Sequence, residues 1–169
     1  MFEFSKILHF PKHDLKSHGE KLVKTHLKQI DKGIDADGNQ FTKYSKVYRE
    51  QKKANAFKKE GQISTQTHPV NLKLTGKLFK HFILQHAEFI RGELTWIYGF
   101  VNTRIARDRG IADDSRSKSI VHGKKTKRVI ASSNNLGPDV EDALGHIFAS
   151  QIANNLARFF KRKTKVYRV

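Results

Sequence analysis

The chain has 169 residues, 37% of them hydrophobic and 29% charged, and carries a formal net charge of +17. That length makes one ordinary domain with a hydrophobic core, for which twelve Phe and four Tyr supply aromatic anchors. The lack of Cys excludes disulfides, thiol catalysis and Cys-based zinc sites, and no apolar run approaches the roughly 20 residues of a membrane span.

Thirty-three Lys and Arg against sixteen Asp and Glu make a polyanion the default partner: nucleic acid, an anionic membrane or an acidic protein. The apolar N-terminus lacks the long core and small-residue cleavage site of a signal peptide, so the expected compartment is the cytoplasm.

Residues 14–34 read as a helix. Leu15, Leu22, Val23, Leu27, Ile30 and Ile34 recur mostly at three- and four-residue steps, with Lys16, Lys21, Lys24, Lys28 and Lys32 on the remaining surface. Gly33 can supply a left-handed closing residue. Asp35, Asp37 and Gly38 then form a turn signal. A calcium loop is the rival reading, but Lys43 and Lys46 stand where such a loop needs its later ligands.

Residues 47–64 are rich in Lys, Gln, Ala and Glu and read as a short helix or a flexible arm, with a polar break over 62–69. Residues 81–101 read as a β-hairpin turning at Arg91 and Gly92. Leu94, Trp96, Tyr98 and Phe100 lie on one face of its second strand, and Thr95, Ile97 and Val101 on the other. A short helix is one reading beyond Val101, and residues 112–119 look like a loop.

A basic cluster, Lys124, Lys125, Lys127 and Arg128, precedes Val129 and Ile130. Pro138 starts a last helix whose first turn holds Asp139, Glu141 and Asp142. Val140, Leu144, Ile147, Phe148, Ile152, Leu156 and Phe159 form its apolar stripe to about Arg162. The expected fold is α+β: two long helices packed on a small antiparallel sheet containing the β-hairpin, with extended polar arms. It forms a single domain over 1–169, with a flexible arm at about 47–69 and a basic C-terminal tail at about 161–169.

No constellation for catalysis stands out. The sequence has no HExxH, GxSxG, Walker loop or GxGxxG, and Pro11 interrupts the spacing of His9 and His13. The acidic pairs Asp35/Asp37, Asp113/Asp114 and Glu141/Asp142 could hold magnesium in a nuclease, but turn, loop and helix-start context accounts for them. The expectation is a non-enzymatic protein with no cofactor and no metal. Candidate polyanion or partner contacts are Lys124, Lys125, Lys127, Arg128, Lys161, Arg162, Lys163, Lys165 and Arg168. None lies in a recognisable helix-turn-helix or RNA-recognition motif.

Asp35, Gly38, Phe41, Tyr44 with Ser45, and Tyr48 precede the segment Val70, Asn71, Leu72, Leu74, Gly76 and Leu78. This order resembles the small neck and tail-completion proteins of tailed bacteriophages, as does Leu136-Gly137-Pro138-Asp139 before the last helix. Residues 101–128 are longer and more charged than that pattern. The resemblance implies a minor virion structural protein of the head–tail junction, a homo-oligomeric ring around the DNA channel. Its partners would be other head–tail junction or tail-tube proteins and genomic DNA, with no membrane, and it would assemble in the host cytoplasm. The charge alone supports a second expectation, a DNA- or RNA-binding protein without sequence specificity.

Overall fold

The computed structural model describes residues 9–101, 103–108, 110–114, 119–123, 128–132 and 135–164. The fold is mixed helix and sheet, with four α-helices in the order α1 Lys12–Asp31, α2 Lys46–Lys53, α3 Thr103–Asp108 and α4 Pro138–Thr164. The strands are β1 Phe82–Ile90, β2 Glu93–Phe100, β3 Ile111–Asp114, β4 Ser119–His122 and β5 Arg128–Ala131. They form two antiparallel sheets, β1-β2 and β3-β4-β5, rather than one. Two further expectations change: among the described residues there are four α-helices, not only the two long ones expected, and part of the stretch read as a loop at 112–119 belongs to β3 and β4. Strands of only four residues, with a register shift between Ile120 and Val121, carry too little periodicity to stand out in a sequence.

Helix α1 lies between two apolar cores. Its Val23 and Ile30 pack with Phe41, Val70, Leu72 and Phe82, and this core extends to Ile111 and Ile130 of the second sheet. Its Leu15 and Leu22 pack with Phe10 and with Val140, Ala143 and Ile147 of α4, under Trp96 and Phe89 of the hairpin. The hairpin turns at Arg91 and Gly92, both at positive φ, as a tight two-residue β-turn demands. Phe82 pairs with Phe100 and Leu84 with Tyr98, the faces expected from the alternation. A bulge between Leu84 and His86 then brings Ala87 and Phe89 back onto the inner face. Trp96 ties the sheet to α1 by donating its indole N–H to the Leu15 carbonyl at 2.8 Å.

The stretch 47–69, read as a short helix or a flexible arm, holds the short helix α2 and is tied to the segment that follows it: Lys52 Nζ donates to Asn71 Oδ1, and the Ile63 N–H to the Leu74 carbonyl. Ser45 caps α2 by accepting from the Tyr48 N–H, and Gln62 donates to the carbonyls of Lys52 and Ser64. The last helix also departs from its stripe. Val140, Ala143 and Ile147 are buried, but the next two inward turns carry Gln151 and Asn155, whose amides both donate to the His9 carbonyl at 3.1 and 2.8 Å. Phe148 is left 37% exposed.

Gln29, fully buried, joins three segments. Its amide nitrogen donates to the carbonyls of Asp35 and Leu136, and its amide oxygen accepts from the Asp139 N–H in the first turn of α4. Gly137 is what lets α4 start there: its φ is +99°, and a Cβ at this position would overlap the Gln29 carboxamide. Gly137→Ala is therefore expected to cost at least about 2 kcal/mol. Gln29→Ala, which removes the partner of three half-buried backbone groups, is expected to cost about 3 kcal/mol. Urea unfolding checks both, with Lys28→Ala, on the exposed side of α1, expected to stay within about 0.5 kcal/mol of the parent.

Candidate functional site

The residues that carry the sequence motif converge on one unit. Asp35 accepts through Oδ1 from the N–H groups of Asp37 and Asn39, closing a side-chain turn, and the chain returns so that the Phe41 N–H reaches the Gly33 carbonyl. Gly33 has φ +76°, and a Cβ there would meet Pro69 at 2.8 Å and the Val70 carbonyl at 2.9 Å. The end of α1 thus accepts the Val70–Leu72 strip at backbone contact. Phe41 is buried beside Val70 and Leu72.

Leu72 sits at φ +55°, a left-handed conformation unusual for a branched apolar residue. Two side chains hold it. The Tyr44 hydroxyl accepts from the Leu72 N–H at 3.0 Å, and Asn71 Oδ1 accepts from the Lys73 N–H at 3.1 Å. The Leu74 carbonyl accepts from the Ile63 N–H, and the Ile63 side chain rests on Gly76. Gly38 closes the Asp35 turn, and a Cβ there would stand 3.7 Å from Pro138.

Two cations flank Tyr44. Lys52 is fully buried, with Nζ donating to Asn71 Oδ1 at 3.2 Å and lying 4.9 Å from the Tyr44 ring centre. Arg128 is only 8% exposed; Nε and Nη2 donate to the carbonyls of Thr42 and Lys43, and its guanidinium lies 5.3 Å from the same ring. Both distances fall within cation–π range of about 6 Å. Burial pushes Tyr44 up to about 12, helped by Tyr48 and opposed by the Leu72 N–H and Arg128. Burial pulls Lys52 down to about 8, and among the described residues no acid is in contact to hold its charge.

Of the residues expected to meet a polyanion, Arg128 is thus a structural tie between β5 and the 42–43 turn. Lys161 is exposed near the end of α4. Arg162 and Lys163 lie on the last turn of that helix, and Lys124, Lys125, Lys127, Lys165 and Arg168 lie outside the described residues. Asp35, Gly38, Phe41, Tyr44, Asn71, Leu74 and Gly76 come together as described, shaping the chain rather than facing solvent as a reactive group. Sequence reasoning missed Lys52. The signal was there: Tyr44, Tyr48 and Lys52 stand at successive four-residue steps, and the Tyr48 ring packs on both Tyr44 and Phe57.

Among the described residues no three His, Cys, Asp or Glu side chains gather as a metal site, and no helix is long and apolar enough to cross a membrane. Comparison with family models, with curated proteins and with solved structures finds no match.

Lys52 gives the unit a signature in alkaline solution. It titrates at about 8 when folded against an ordinary 10.5, so between these values the unfolded chain binds the extra proton and stability rises with pH. The penalty of burying its charge is complete below about pH 8. Tyr44 and Tyr98, pushed up to about 12, act the opposite way above about pH 10, which closes the window. From about pH 8 to about pH 10, the parent chain is expected to gain stability relative to Lys52→Met in urea unfolding. Parallel curves for the two proteins would refute the assignment.

Proposed function

We propose that the chain is a structural subunit of a tailed-bacteriophage virion, part of the neck or head–tail junction, working as a homo-oligomeric ring around the DNA channel. The ring assembles in the host cytoplasm with other junction or tail-tube proteins and needs no catalytic group. The resemblance of the Asp35–Tyr48 and Val70–Leu78 motifs supports this reading, and those motifs pack together as one unit.

The observation that carries it is the outer face of the hairpin. Ile83, Ile90 and Ile97 are 44–54% exposed there, on the side of the sheet opposite Leu84 and Trp96, which face α1, and Val101, 47% exposed, follows directly after β2. Four aliphatic side chains on and beside one two-stranded ribbon are costly to leave in water, and such a face suits burial against a neighbouring subunit. A protein that only grips nucleic acid gains nothing from it. The alternative, a nucleic-acid-binding protein without sequence specificity, draws on the exposed Lys21, Lys24 and Lys28 of α1.

The purified chain, alone or mixed with portal and tail proteins, is expected to give ring particles by negative-stain electron microscopy. Ile97→Lys, at an exposed position, is expected to abolish them while leaving the thermal midpoint within about 2 °C of the parent. Persistent monomers that join neither heads nor tails would defeat the proposal.

A further inference from the structure

We infer that the cavity between α2 and the Thr67–His68 segment is a binding site for a phosphate ester of about nucleotide size. It has a volume of about 440 Å³ and is lined by Lys43, Tyr44, Arg49, Glu50, Lys53, Thr67 and His68. That volume lies in the range of about 300–1,000 Å³ common to small-molecule sites and is too large for a bare ion.

The charges are unbalanced. Arg49 and Lys53 stand four residues apart on one side of α2, and Lys43 approaches from the preceding turn. None of these three side chains forms an ion pair or hydrogen bond with another described residue, and Glu50 pairs with none of them. Three cations and one carboxylate leave two net positive charges facing an open cavity. A phosphomonoester, at about −1.5 to −2 near neutral pH, matches that balance, whereas a single carboxylate leaves one charge unanswered.

The geometry of the donors agrees. A guanidinium presents paired N–H groups to two oxygens of one phosphate, and two ammonium groups add unoriented charge around it. Thr67, only 9% exposed, lines the same cavity, and its hydroxyl has no hydrogen-bond partner among the described residues. The positions of Lys52 and Arg128 explain why the site is firm: both are locked against Tyr44, whose ring forms part of the cavity wall. This inference is independent of ring assembly.

The test compares two charge-matched variants, Lys43→Gln/Arg49→Gln/Lys53→Gln and, on the exposed side of α1, Lys21→Gln/Lys24→Gln/Lys28→Gln. Each is titrated with pyrophosphate and thymidine monophosphate by calorimetry, and with a fluorescein-labelled dT12 strand by anisotropy, after circular dichroism confirms folding. The cavity variant is expected to lose at least about tenfold in affinity and the α1 variant to stay within about threefold. Arg49→Lys, which keeps the charge and loses the fork, is expected to fall between. Loss confined to the small phosphates assigns the site to a free nucleotide-like ester, and loss for dT12 with competition by pyrophosphate assigns it to a nucleic-acid backbone. Equal loss in both triple variants, no saturable binding of any probe, or an oligoglutamate that binds as tightly as pyrophosphate would overturn the inference.

Discussion

The molecule hangs on two fully buried polar side chains one turn apart on α1, His26 and Gln29. A buried polar group is tolerated only where its partners are present, so each such group fixes the position of whatever it touches. His26 Nε2 lies 3.0 Å from the Ile130 carbonyl, which can only accept, so this nitrogen carries the proton. Nδ1 is then free to accept from the Tyr98 hydroxyl at 3.4 Å. Burial lowers the pKa of His26, only partly opposed by that carbonyl, and the ring stays neutral with both nitrogens used. One imidazole thereby joins α1 to the hairpin and to the second sheet. Gln29 does the same for the Asp35 turn and the start of α4.

Apolar packing around α1 could accept several rotations of the helix at modest cost, because area burial has no direction. The two polar side chains cannot. Once they set the helix, Gly33 falls where the Val70 backbone can touch it, and Tyr44 falls where its hydroxyl meets the Leu72 N–H. The left-handed Leu72 and the buried Lys52 follow from that contact, since Asn71 must turn inward to hold both Lys52 and the Lys73 N–H. The site is therefore a downstream consequence of how α1 is seated.

Much of this frame was readable in the residues. Helical periodicity marked α1 within three residues at either end, alternation identified the inner face of β2, and Pro138 marked the start of α4. What escaped were features that depend on distant partners. His26 and Gln29 look like ordinary polar positions on an amphipathic helix, and only contact with residues more than seventy positions away makes them interior. The Leu84–His86 bulge leaves no mark, because Gln85 reads as one more polar residue in alternation. The three four-residue strands sit among charged residues that mask their pattern. Gln151 and Asn155 break the apolar stripe of α4 because they serve the backbone of the N-terminal segment, which no periodicity can reveal.

The charge of the chain divides along the same lines. Lys52 and Arg128 are withdrawn from solvent, and each answers a ring face and carbonyl or amide oxygens, so they add to the formal +17 without offering a surface to a polyanion. Neither meets a carboxylate among the described residues, which has a physical cost, and it is borne next to the open cavity where Lys43, Arg49 and Lys53 also form no ion pair with a described residue. Positive potential from the buried pair adds to that of the three exposed cations, because a low-dielectric interior screens it less than water does. An anion bound in the cavity would relieve both sets together. Counting basic residues along the sequence directs attention to the Lys124 region and the tail, yet potential depends on how few acids lie nearby, and by that measure the α2 cavity, with three cations to one carboxylate, is a feature that the count passes over.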